Sequence, residues 1–285
     1  MPKDFGAAQA AGAYRAHRPN PWEYEMDLPA PAEFERDVRA ARAAMDALFE
    51  PTPLQENVFL SERYGARIFL KREDLTPVRS YKIRGAFNLL RKRIGDDGTR
   101  FVCASAGNHA QGFAFACRHF GVTGTVFMPV TTPQQKIDKT RAFGGDAVRI
   151  ELVGDIFDAC NAAALEFAER EGAIMVPPFD DPDIIEGQAT VALEIAAQLP
   201  EGVTMERLHV AVGGGGLTSG MTLLFEALGL DPKMMLIEPA GAPSLKRSLE
   251  KGERVRLDRI DSFVDGAAVA QIGAHTFDVL QRDRP

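Results

Sequence analysis

Cysteine is scarce in this sequence, with three residues in 285: Cys103, Cys117 and Cys160. They are odd in number and scattered, which gives neither a disulfide framework nor metal-ligand spacing, so reduced, mostly buried thiols are expected. Histidine is also sparse, with five residues. His109 and His119 are too far apart to share a helix face as an i, i+4 pair, and no His-Glu-x-x-His occurs, so no metal is expected. Basic residues are outnumbered, 33 against 40, leaving a net charge of -7. That balance supplies no basic face for a phosphate backbone, and nucleic acid is not expected as a partner. No apolar run is long enough to cross a bilayer, and the first residues lack the short apolar block of a secretory signal. Met1 to His17 is alanine-rich with few acids, but it has too little serine and arginine for a transit peptide. It reads as an ordinary extension, with the cytoplasm as the expected location and no membrane partner.

The 45% hydrophobic content supports a real core and fits one large or two modest domains. Pro19, Pro21, Pro29 and Pro31 break any period in the opening segment, predicting an extended arm able to wrap a neighbouring surface. From Ala32 the spacing of Phe34, Val38, Ala41, Met45 and Leu48 predicts a helix that Pro51 stops. After a short strand at Ile68 to Leu70, strand-like runs at 101–104, 124–128, 147–150, 173–176, 208–212 and 234–237 alternate with helical patterns. The helices are expected at 110–120, 132–143, 156–170, 185–199, 217–228 and 242–250. Gly121, Gly144-Gly145, Gly172 and Gly229 mark their ends. This rhythm predicts an α/β fold of parallel sheets covered on both faces. No internal repeat or low-complexity tract is visible.

Three segments carry chemistry. Lys82 lies in Ser80-Tyr81-Lys82-Ile83-Arg84-Gly85-Ala86, where Ser80 and Tyr81 place it at a helix start. The helix dipole there disfavours a cation and helps to lower the amine pKa. Alone it would be an ordinary surface lysine; its company makes it a candidate. Gly213-Gly214-Gly215-Gly216-Leu217 follows a buried strand and precedes a helix, so backbone N–H groups and a helix N-terminus converge where a doubly ionised phosphate ester fits. Lysine and glycine loop together are what a pyridoxal-phosphate enzyme needs, since an amine of lowered pKa can condense with the cofactor aldehyde. A plain tight turn is the bland alternative for the glycines. A dinucleotide loop is another, with Glu238 near the position of a ribose-binding acid. That pattern fails at its third glycine, where Thr218 or Ser219 stands, and Met221 follows Gly220 instead of the lysine of a P-loop. The third segment, Ser105-Ala106-Gly107-Asn108-His109-Ala110-Gln111-Gly112, opens a helix directly after a strand and is ready for an anion, although Asn-His there is also ordinary capping chemistry.

The ordered set, with Glu50-Pro51-Thr52-Pro53-Leu54, Leu70 to Leu75 and Val176-Pro177-Pro178-Phe179-Asp180, resembles the threonine/serine dehydratase family of fold-type II pyridoxal-phosphate enzymes. It looks most like the biosynthetic threonine dehydratase branch, from about residue 35 onward. The resemblance implies a tryptophan synthase β-subunit-like fold, two open parallel-sheet domains with the cofactor in the cleft. After an N-terminal extension at 1–34, a small domain of 78–176 would be inserted into a large one made of 35–77 and 177–285. Lys82 would be the Schiff-base lysine and the base that removes the Cα proton. Gly213, Gly214, Gly215, Gly216 and Leu217 would hold the cofactor phosphate. Ser105, Ala106, Gly107 and Asn108 would bind the substrate carboxylate, and Asn108 would also bond the cofactor's phenolic oxygen. Arg84 is expected to be structural or solvated, and His109 to pack or to lie behind the site. The implied reaction is β-elimination and deamination of a small hydroxy amino acid, threonine or serine, by a homo-oligomer, dimer or tetramer.

One departure stands out. The family pattern continues through a Glu-Pro-Ser-Gly-type segment whose serine meets the pyridine nitrogen, and this sequence reaches Pro285 without one. A C-terminally shortened catalytic domain is therefore expected. A silent cofactor-binding or interaction subunit stays open as an alternative, as does a serine racemase-like or cysteine synthase-like enzyme.

Overall fold

The computed structural model describes residues 29–95 and 98–283. The predicted arm at 1–28 lies outside the described residues. Helix α1 (Pro31–Met45) begins one residue earlier than its spacing suggests, with Pro31 inside it and not in the arm. Proline is tolerated there because its missing N–H would have no intrahelical partner in the first turn. Phe34, Val38, Ala41 and Met45 form the buried stripe, as their spacing predicts.

Strands β1 (Leu54–Glu56) and β2 (Phe69–Lys71) pair antiparallel, a ribbon that stands before the βαβ rhythm begins. Each exposes only its middle residue, Gln55 or Leu70, the one-sided burial that antiparallel ribbons allow. Between them α2 (Val58–Tyr64) buries no residue, so no apolar stripe announces it. Only its cap is legible: Asn57 Oδ1 accepts from the Leu60 N–H at 2.9 Å.

Helix α3 (Lys82–Arg93) leads into a four-stranded parallel sheet of β3 (Arg100–Ala104), β4 (Thr123–Met128), β5 (Val148–Leu152) and β6 (Ile174–Met175) in the order β5-β4-β3-β6. Its connecting helices are α4 (Asn108–Phe120), α5 (Gln134–Gly144) and α6 (Phe157–Glu171). The period of two along β3 decides what packs where. Phe101 and Cys103 join Phe113 and Cys117 of α4, and Val102 and Ala104 join Cys160 and Ala164 of α6. All three cysteines are buried free thiols in these two layers.

The rest comprises α7 (Pro182–Gln198), the parallel pair β7 (Arg207–Ala211) and β8 (Lys233–Ile237) with α8 (Gly216–Ala227) between them, then α9 (Ser244–Lys251) and α10 (Ala274–Asp283). Among the described residues no helix is long and apolar enough to cross a membrane.

Four helices pack side by side in the order α4, α3, α7, α8, and a glycine sits at each junction. A Cβ on Gly112 of α4 would lie 2.9 Å from the Ile83 amide nitrogen, and one on Gly187 of α7 would lie 2.6 Å from the Arg84 carbonyl oxygen. One on Gly220 of α8 would meet the Ile185 carbonyl oxygen of α7. In each case the obstacle is backbone, which cannot swing aside. Gly112→Ala should therefore lower the thermal midpoint by several degrees, an overpacking cost of about 1–3 kcal/mol. Gly266→Ala, where a Cβ meets nothing within 4 Å, is the matched control and should change little. Equal midpoints for the two variants would contradict this packing.

Candidate active site

Lys82 is the first residue of α3, as its sequence context predicts, and the turn before it is tightly bonded. Thr76 Oγ1 accepts from the Ser80 N–H and donates to the Ser80 carbonyl, both at 2.9 Å, and Ser80 Oγ accepts from the Lys82 N–H at 3.2 Å. Arg79 takes a left-handed backbone, φ 61°, which costs a non-glycine residue about 1–2 kcal/mol. The bonds around Thr76 hold that conformation in place.

The Lys82 amine is half-buried and pairs with no carboxylate among the described residues. Its Nζ donates to the Pro178 carbonyl at 2.6 Å and stands 5.4 Å and 5.9 Å from the ring centres of Tyr81 and Phe179. Burial lowers its pKa from 10.5 to about 8. Desolvation is thus the main cause of the shift, where the sequence suggested the helix dipole. Arg84, two residues on in the same helix, is wholly buried and not solvated. Its Nε and Nη2 donate to both oxygens of Glu73 at 2.8 Å, and its Nη1 and Nη2 reach the two oxygens of Glu194 at 2.7 and 2.9 Å. Glu194 also pairs with Arg42 and Lys71. Glu73 and Glu194 are therefore committed to Arg84, and Lys82 has no counter-ion among the described residues.

Residues Ser105 to Asn108 turn from β3 into α4, with the Ser105 N–H bonded to the Phe127 carbonyl at 3.0 Å and the Gly107 N–H to Ser105 Oγ at 3.2 Å. The amides of Ala106, Asn108, His109 and Ala110 have no acceptor among the described residues, and the Asn108 side chain is exposed. Gly112 packs this helix start against the backbone of Lys82 and Ile83. His109 is buried with Nε2 2.9 Å from the Val176 carbonyl. Burial, and then the nearby Lys82 charge, push its pKa down to about 3, so the ring is neutral and its Nε2 is the donor.

The glycine loop is more open still. Among the described residues the amides of Gly213, Gly214, Gly215, Gly216, Leu217 and Thr218 donate to nothing, and the buried Thr218 hydroxyl also has no partner. Gly215 sits at φ 91°, a conformation that requires glycine. Phe179 packs directly on Gly214 and Gly216. The segment Pro178-Phe179 therefore touches Lys82 on one side and the glycine loop on the other, and it is what brings them together. In the sequence this segment carries only the family resemblance, since nothing local shows which surface Phe179 covers. Glu238, the one rival acid, instead caps α9, accepting from the Leu245 and Lys246 amides at 2.7 and 2.8 Å.

The candidate site thus has an amine without a counter-ion among the described residues and two sets of open amides at helix starts, and it is short of anions. A phosphate ester and a carboxylate fit that deficit, and an aldehyde fits the amine. The lowered pKa makes a testable claim about stability. Below pH 8 the native state must hold a buried cation, and between pH 8 and 10.5 the unfolded chain binds more protons, so native stability rises with pH. Lys82→Met should therefore raise apoprotein stability at pH 7 by roughly 1–3 kcal/mol. The advantage should shrink as pH rises through that window, as measured by denaturant titration at several pH values. An advantage independent of pH would contradict the shift.

Comparisons with known proteins bear on the family. A family model described as pyridoxal-phosphate dependent enzyme matches residues 46–284. L-threonine dehydratase biosynthetic IlvA of Bacillus subtilis (strain 168) is 48% identical over 232 residues, 81% of this chain and 54% of that protein. The chain spans about half the length of the curated relatives it matches. The solved structure of the processed form of threonine deaminase isoform 2 from Solanum lycopersicum aligns with a TM-score of 0.81 at 39% identity, covering 88% of this chain and 67% of that one. Maize serine racemase aligns with a TM-score of 0.80 at 27% identity, covering 86% and 73%. The α/β fold expected from the sequence is the fold of these neighbours.

Proposed function

We propose a reaction for this chain on one premise: the chain belongs to the family of pyridoxal-phosphate dependent enzymes. The reaction is β-elimination and deamination of L-threonine, and of L-serine, to 2-oxobutanoate or pyruvate with release of ammonia. The names of the relatives support threonine. The observation that carries the reading is the unpaired Lys82 amine, joined through Pro178-Phe179 to a loop of amides without protein acceptors.

When bound, pyridoxal phosphate supplies an electron sink for the carbanion formed at the substrate Cα. The chain supplies the rest. The open amides from Gly213 to Leu217, with Thr218 behind them, hold the phosphate. The Ala106 and Asn108 amides hold the substrate carboxylate in the turn Ser105-Ala106-Gly107-Asn108, and the exposed Asn108 side chain takes the ring hydroxyl. Lys82 Nζ, its pKa lowered by burial to about 8, is neutral at neutral pH in a larger fraction than a free lysine and takes the Cα proton. Tyr81, whose own pKa burial and Glu73 push up to about 12, stays neutral beside it. Elimination loses one water and hydrolysis of the resulting imine regains one, so threonine yields one oxoacid and one ammonia. The same reading places the protein in cytoplasmic amino-acid metabolism as a homo-oligomer, with 78–176 as a small domain set into 35–77 and 177–285.

The test is product analysis with L-threonine and L-serine in the presence of pyridoxal phosphate. Oxoacid and ammonia should appear in equal amounts. Lys82→Ala should lower turnover by more than about 10³-fold, because it removes both the covalent anchor and the base. Asn108→Ala should lower it by only about tenfold, the worth of about one hydrogen bond. D-serine with little oxoacid would favour a racemase, the reading that the maize neighbour suggests. Cofactor uptake without turnover of any amino acid would contradict the lyase reading.

A further inference from the structure

The Gly214–Gly215 peptide has no Cβ on either side, so turning it over is sterically cheap. The two orientations carry opposite charge, because N–H and C=O point in opposite directions on a trans peptide. One aims a donor at a bound anion and the other aims a carbonyl oxygen at it. The structure holds the peptide in one orientation from behind. The Gly214 carbonyl accepts from Thr276 Oγ1 at 2.7 Å, and the Gly273 N–H approaches the same oxygen at 3.4 Å. The next carbonyl, of Gly215, accepts from the Ser219 N–H at 2.8 Å. These carbonyls are thus tied while the loop's amides are open.

Thr276 is itself held on both sides. Asp180, next to Phe179, accepts from the Ala274 N–H at 2.7 Å and the Thr276 N–H at 3.3 Å, and so fixes the first turn of α10. Ser219 Oγ donates to the Thr276 carbonyl at 3.1 Å. Asp180, Ser219 and Thr276 are all buried, so no water stands ready to replace a lost bond.

We propose that Thr276 is a positioning residue for phosphate binding: its hydroxyl locks the Gly214–Gly215 peptide so that the Gly215 N–H points away from α10 and toward the anion. The proposal rests on the reading of the glycine loop as a phosphate cradle. Thr276 acts through the loop, and Asp180 and Ser219 hold it in register.

The experiment measures dissociation constants of the apoprotein for pyridoxal 5′-phosphate, for pyridoxal, which lacks only the phosphate, and for inorganic phosphate as competitor. Thr276→Val keeps the shape and removes the donor, and Thr276→Ser keeps the donor. Thr276→Val should weaken pyridoxal 5′-phosphate and inorganic phosphate by about tenfold, the loss expected for one buried hydrogen bond to the loop. It should leave pyridoxal within about twofold, and Thr276→Ser should stay near the parent for all three. Should Thr276→Val fail to fold, Ser219→Ala loosens Thr276 without removing its hydroxyl. It should give a smaller loss, about threefold, confined to the phosphate ligands. Unchanged phosphate affinity, or a loss equal for pyridoxal and its phosphate, would overturn the latch alone. A parent protein that binds pyridoxal 5′-phosphate no more tightly than pyridoxal would overturn the cradle reading and the latch with it.

Discussion

Close contact between helix backbones is the constraint on which this structure depends. Because Gly112, Gly187 and Gly220 lack side chains, α4, α3, α7 and α8 approach until backbone meets backbone. Three of these helices begin with candidate site residues, α3 with Lys82, α4 with the Ser105–Asn108 turn and α8 with the glycine loop. Side chains at the junctions would push those starts apart by the width of a methyl group. Helix N-termini attract anions only within about the first turn, so such a displacement would divide one site into several weak ones.

Electrostatics follow from the same arrangement. Arg84 emerges from α3 on the side facing α7, where Glu73 and Glu194 take all of its charge. Arg42 and Lys71 complete the balance on Glu194, so the cluster is satisfied without drawing on Lys82. A buried pair of this kind is costly to break and adds little net stability when whole. Its consequence lies two residues away, in an amine left to desolvation alone and so partly neutral near physiological pH. The uncharged His109 ring beside it adds no competing cation.

Much of this was legible in the sequence, for identifiable reasons. The period of 3.6 in α1 comes from burial on one face, whereas β3 reads as a short continuous apolar run because both of its faces are buried. The helix start at Lys82 was legible from Ser80 and Tyr81 before it, and the one at Asn108 from the strand-turn-helix order around it. Helix α2 was not, because it buries nothing and therefore has no pattern to read. Glu238 misled through its spacing from the glycines, since a cap for α9 and a ribose-binding acid ask for the same residue at the same place. Phe179, Asp180 and Thr276 were invisible as site residues because their partners are distant in sequence: Thr276 meets a carbonyl 62 residues before it. Only tertiary packing creates that contact.

The central claim is that Lys82, and no other lysine, receives the cofactor. Sodium borohydride reduction of the protein loaded with pyridoxal 5′-phosphate, followed by peptide mapping, tests it directly. The phosphopyridoxyl mass should fall on the peptide that contains Lys82, whose half-buried amine has no carboxylate partner among the described residues and bonds to the Pro178 carbonyl beside the glycine loop. Label on Lys71 or Lys92, both held in ion pairs with buried carboxylates, would contradict the account.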